Sequence, residues 1–66
     1  MVKNNLKRIR MVEYQMTPTE FCKVINISRS TYSQLENGKT IGNIETALKI
    51  AKALNKRIED IWYIED

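Results

Sequence analysis

Apolar residues in this chain recur three and four positions apart, in short runs broken by polar turn residues, and the pattern predicts five short helices. Leu6, Ile9 and Val12 form the first inward stripe, a helix from about Asn5 to Tyr14 capped by Asn4 or Asn5. Gln15-Met16 makes the joint. Thr17-Pro18-Thr19-Glu20 is a capping box that opens the second helix: the Thr17 hydroxyl can accept the amide of residue 20, and Glu20 can reach back to the amide of Thr17. Proline at the first helical position lacks only an N–H that would have been unpaired anyway. Phe21, Cys22 and Ile25 then face inward, with Val24 at the edge, and Asn26 stops the helix because asparagine tolerates the left-handed conformation. Ser28 caps a third helix that runs to about Glu36 and ends at Asn37-Gly38. Asn43 caps a fourth, Ile44 to Leu54, in which Ile44, Ala47, Leu48, Ala51 and Leu54 recur at helical spacing; Asn55 stops it. A last short helix, about Ile58 to Tyr63, offers Ile58, Ile61 and Trp62 to the core or to a partner.

The second and third helices are separated by only Asn26-Ile27-Ser28, which makes them a helix-turn-helix at about residues 18–36. The third helix is unusually polar. At ~100° per residue, Arg29, Ser30, Ser33, Gln34 and Asn37 share one arc of about 140°. Tyr32 and Leu35 lie opposite, with Ser28 and Thr31, and Glu36 falls off the polar arc toward the first helix. A solvated face is ordinarily rich in Glu and Lys. This one carries no acid and is built from side chains that read base edges: Arg to guanine, Gln to adenine, Ser to either. Tyr32 is expected at the edge of the core, its hydroxyl within reach of a phosphate as the secondary reading.

Charge supports a polyanionic partner. The 66 residues carry a net +3, and the distribution is uneven: residues 1–40 hold seven basic and three acidic groups, residues 41–66 four and five. Cys22 is the single cysteine and histidine is absent, so an intrachain disulfide and the usual zinc clusters are excluded; no metal or cofactor is expected. One thiol in an apolar segment fits a reducing compartment, and the chain reads as one cytoplasmic domain, nucleoid-associated, over residues 1–66. No secretory leader and no apolar run of ~18 residues for a membrane span is expected. An enzyme is disfavoured: there is no phosphate-binding glycine loop and no nucleophile–base pair, and Glu59-Asp60 and Glu65-Asp66 read as charged surface.

The stretch TPTEFCKVINISRSTYSQLENGKT resembles the helix-turn-helix of the Cro/C1-type (XRE) transcriptional repressors. Thr17, Glu20, Phe21 and Cys22 match the family's second helix, Asn26-Ile27-Ser28 its turn, and Leu35-Glu36-Asn37-Gly38 its terminal ENG. ALKIAKALN and IEDIW resemble its fourth and fifth helices, so the likeness covers about residues 5–63. It implies an all-α, five-helix, lambda-repressor-like DNA-binding domain. It implies a third helix in the major groove, with Arg29, Ser30 and Gln34 at base-reading positions and Ser33 beside them. It also places Thr17, Ser28, Asn37 and Lys39 at backbone phosphates, and makes Arg10 and Glu36 a structural ion pair between the first and third helices. Three features depart from the family: Pro18 stands where a polar, phosphate-contacting residue is common, the loop Ile41-Gly42-Asn43 is nearly uncharged, and the chain from Arg10 to Met16 is one residue longer than usual.

The chain end is more apolar than a frayed terminus needs. Ile61, Trp62, Tyr63 and Ile64 form a candidate dimer face, with WYIE and MVK as short terminal β-strands beside the bundle. The expected function is a sequence-specific regulator of transcription, a repressor, binding double-stranded DNA as a homodimer on an inverted repeat. The alternative is an antitoxin or other module whose main partner is a protein.

Overall fold

Polar caps divide the chain into its elements in a computed structural model that describes residues 1–40 and 42–66. Ile41, in the nearly uncharged loop predicted before the fourth helix, lies outside the described residues. The order is β1 (Val2–Asn4), α1 (Leu6–Arg8) running directly into a π-helical segment (Ile9–Tyr14), α2 (Pro18–Ile25), α3 (Arg29–Glu36), α4 (Ile44–Leu54), α5 (Ile58–Ile61) and β2 (Trp62–Ile64). Thr17, Ser28 and Asn43 each accept, through the side chain, the amide three residues on, as predicted for N-caps. Asn26 and Asn55 both end their helices with left-handed backbone, φ 58° and 55°.

Around these helices the two chain ends pair. β1 and β2 run antiparallel, with Val2 opposite Ile64, Lys3 opposite Tyr63 and Asn4 opposite Trp62. The fifth helix is shorter than its predicted span to Tyr63, because Trp62 and Tyr63 leave it to form this sheet. The core is shared by all five helices: Leu6, Phe21, Tyr32, Leu35, Ile50 and Ile61 have no exposed surface.

Four expected placements need correction. Val12 is 61% exposed, because the π-helical segment moves the inward position from Val12 to Tyr14, which packs against the core. Ile44 (70% exposed) and Leu48 are likewise outside, and Ile50 is buried instead. The apolar arc of α4 is wider than the face it can bury, and its packing against α2 and α5 selects Ala47, Ile50, Ala51 and Leu54. Ile61 is fully buried and so cannot belong to a dimer face; it fills the core under the sheet.

Candidate nucleic-acid interface

The turn between α2 and α3 is built from backbone hydrogen bonds. Left-handed Asn26 and then Ile27 both donate their amides to the Cys22 carbonyl, the latter at 3.1 Å. Ile27 is half-buried beneath the turn, and Ser28 resumes extended backbone as the cap of α3. An aromatic chain then sets the roll of α3. Tyr14 meets Phe21 edge-on at 5.4 Å, and Phe21 meets Tyr32 edge-on at 5.6 Å. With Tyr32 and Leu35 held in the core, Arg29, Ser30, Ser33 and Gln34 all face outward and are exposed. The four predicted base-reading side chains thus share one surface with no acid among them. Full burial of Tyr32 removes the reading in which its hydroxyl meets a phosphate.

The four predicted phosphate residues are all exposed at the ends of α2 and α3, in different hydrogen-bonding states. The Thr17 hydroxyl accepts the Glu20 amide at 3.2 Å while Glu20 accepts the Thr17 amide at 2.9 Å, so both side chains serve the capping box. The Ser28 hydroxyl accepts the Thr31 amide and donates its proton to Thr31 Oγ1 at 2.9 Å, so it serves the helix cap first. Asn37 donates to Ser33 Oγ at 3.4 Å, and Lys39 sits just beyond Gly38, whose φ of 74° makes the tight exit from α3. The Glu20 carboxyl lies below the usual range because the Thr17 amide and then its hydroxyl stabilise the anion. Burial pushes the Cys22 thiol up, only partly opposed by the charge of Arg29, so it is a packing group protonated at neutral pH.

Arg10 organises the back of this surface. Its guanidinium donates to Glu36 Oε1 at 3.2 Å and to the Met16 carbonyl at 3.0 Å, and the ion-paired side chains are 10% and 12% exposed. Its own carbonyl accepts the amides of Gln15 and Met16, closing the π-helical segment. A π turn is what one inserted residue makes of an α-helix. A one-residue excess between Arg10 and Met16, as the family resemblance implies, fits within such a turn, and Arg10 meets Glu36. Beside them the Tyr32 hydroxyl and Arg10 Nε are buried without a hydrogen-bond partner among the described residues. Burial, and then the neighbouring Glu36, push the Tyr32 phenol well above its ordinary range.

One contact at this surface has no signal in the sequence pattern. Asn4 donates its side-chain amide to the Leu35 carbonyl at 2.7 Å, reaching across 31 positions to the end of α3. Local periodicity marks Asn4 only as a helix cap; the pairing of the chain ends brings it to α3. Among the described residues no group of three or more His, Cys, Asp or Glu could hold a metal ion. No helix among them is long and apolar enough to cross a membrane.

Comparison with known proteins agrees with this geometry. The sequence model of the helix-turn-helix family matches residues 6–61. The chain is similar to an uncharacterized HTH-type transcriptional regulator of Methanocaldococcus jannaschii, 37% identical over 65 residues, covering 98% of this chain and 97% of the relative. An uncharacterized HTH-type transcriptional regulator of Archaeoglobus fulgidus is 39% identical over 54 residues, covering 82% of this chain and 77% of its own. A third, from Bacillus subtilis, is 26% identical over 98% of this chain and 97% of its own.

Proposed function

From the premise that this chain belongs to the Cro/C1-type helix-turn-helix family of DNA-binding transcriptional regulators, we propose that it is a dimeric repressor of an inverted-repeat operator, with α3 in the major groove. One observation carries the reading: the exposed face of α3 is acid-free and displays Arg29, Ser30, Ser33 and Gln34, while Tyr32 and Leu35 anchor its other side. Arg29 is the candidate for a guanine and Gln34 for an adenine, with the two serines beside them. Thr17, Asn37 and Lys39 flank this face and suit phosphate oxygens, which position the protein without reading sequence. Ser28 joins them once its hydroxyl turns from Thr31.

A helix-turn-helix monomer reads too few bases to be selective, which favours a second copy. With Ile61 buried, the predicted dimer face reduces to Trp62, Tyr63 and Ile64. It continues into a shallow apolar groove lined by Val2, Ile44, Ala47, Ile58 and Trp62. The exposed Ile44 and Leu48 equally suit a protein partner of different sequence, the second reading.

The test is selection of bound duplexes from a random pool at stated salt. An enriched inverted repeat with half-sites about one helical turn apart supports the proposal. On that duplex, Arg29→Ala and Gln34→Ala should each lose roughly 5- to 150-fold in affinity with unchanged circular dichroism. Binding without enrichment, falling steeply with salt, would reflect phosphate contacts alone and remove the base-reading assignment. A monomer that captures one stoichiometric protein from native lysate would favour the second reading.

A further inference from the structure

Asn4 uses both ends of its side-chain amide, and on two different helices. Its Oδ1 accepts the Leu6 amide at 3.0 Å and caps α1. Its Nδ2 donates to the Leu35 carbonyl at 2.7 Å, a shorter bond than the 3.2 Å one that the Gly38 amide makes to the same oxygen. Leu35 is in the last turn of α3, where carbonyls have no intrahelical donor. Asn4 therefore closes the far end of α3 from outside. It is itself held in place: it is the last residue of β1, opposite Trp62, and the next amide, of Asn5, donates to the Ile61 carbonyl at 2.8 Å.

Two turns of helix are too short to be rigid alone. The first turn of α3 has its Ser28 cap and the buried Tyr32. Its last turn has Leu35 in the core, the Arg10–Glu36 pair, and the bond from Asn4. Gln34 lies on that last turn and the Asn37–Lys39 exit follows it, so the direction in which they point depends on how firmly it is held.

We propose that Asn4 is a positioning residue for DNA recognition, a clamp from the paired chain ends that sets the last turn of α3 and with it the aim of Gln34. This rests on α3 being the recognition helix. The clamp makes the terminal β1–β2 sheet part of the reading apparatus, although it presents no base-reading side chain.

Asn4→Ser tests it, because serine keeps an oxygen for the Leu6 amide and loses the donor that reaches Leu35. The readouts are amide hydrogen exchange and affinity for two duplexes at one salt: the inverted repeat selected with the parent protein, and a random sequence of equal length. Exchange at Gly38 and Lys39 should quicken relative to α2. Affinity for the selected duplex should fall about tenfold, the scale of one hydrogen bond, while affinity for the random duplex stays level. Unchanged exchange, or an equal fall on both duplexes, would overturn the proposal. If serine at this position prevents folding, Asn4→Asp makes the same comparison, since a carboxylate suits the start of α1 and still cannot donate to Leu35. If Arg29→Ala and Gln34→Ala bind the selected duplex like the parent, the recognition-helix reading has failed. Faster exchange without a loss of selectivity would then make Asn4 a structural brace only, and the positioning role would be overturned.

Discussion

Gln15 holds left-handed backbone at φ 52°, a conformation taken elsewhere among the described residues by two asparagines and two glycines. A residue with a long side chain is strained there by about 1–2 kcal/mol, against the about 0.5–1 kcal/mol of extra chain entropy that glycine loses on folding. Gln15→Gly should therefore stabilise the protein by about 0.5 kcal/mol, read as a higher urea midpoint at unchanged slope. Tyr32 is the other residue whose chemistry conflicts with its place. Its ring is needed between Phe21 and the core, while its hydroxyl is buried without a partner. Tyr32→Phe should keep the edge-on contact and gain about 1 kcal/mol, because an unmade buried hydrogen bond is removed. The same variant has a pH signature. Burial raises the folded phenol above its ordinary 10.0, so the folded state holds that proton after the unfolded chain has released it. The contribution is fully present below pH 10.0 and is lost as pH rises from there toward the folded value. Alkaline melts should show a shallower fall of stability for Tyr32→Phe than for the parent.

Between elements, the Arg10–Glu36 pair is the connection most sensitive to change. It joins the π-helical segment to α3, and the same guanidinium holds the Met16 carbonyl at the entrance to α2. Removing one partner strands a largely buried charge, so Glu36→Ala should cost about 3 kcal/mol. Replacing both, by Arg10→Met with Glu36→Leu, should recover most of that loss, since a buried pair gains little over well-packed apolar side chains. Chemical denaturation of the two single variants and the double variant measures the difference. Lys56–Glu13 at 2.9 Å is a second tie from the π-helical segment, to the turn before α5, and it is more exposed. It should matter less, as surface pairs do.

For the whole molecule, size is the constraint. A domain of 66 residues buries only about 60% of the surface its unfolded chain exposes, and this one has no disulfide to compensate. Pairing the two chain ends gives the helices a lid, yet leaves Ile64 76% and Ile44 70% exposed. In the dimer proposed above these are covered by the second copy. Ile44→Glu should then leave the helical signal intact, shift sedimentation to the monomer, and weaken binding to the inverted repeat far more than to a single half-site. An unchanged sedimentation coefficient would move the interface elsewhere. The charge asymmetry acts at this scale too: Lys39→Ala should weaken binding evenly across sequences and lower the salt slope by about one.

The sequence by itself determined what is local. Thr17, Ser28 and Asn43 were readable as caps, and Asn26, Gly38 and Asn55 as stops, because each acts within four residues of itself. The polar arc of α3 was readable for the same reason, and with it the candidate base-reading residues. What depends on neighbours distant in the chain was decided only by the tertiary structure. Val12 is turned outward and Tyr14 packs on the core because the chain winds as a π-helix from Ile9 to Tyr14. α4 carries more apolar surface than α2 and α5 can cover, so packing alone chose Ile50 over Leu48 and Ile44. Ile61 was open to the core or to a partner on its spacing alone, and the folded chain, with β1 paired to β2, buries it. Asn4 reached Leu35 by the same closure of the chain, and no period of two or 3.6 residues can report a hydrogen bond across 31 positions.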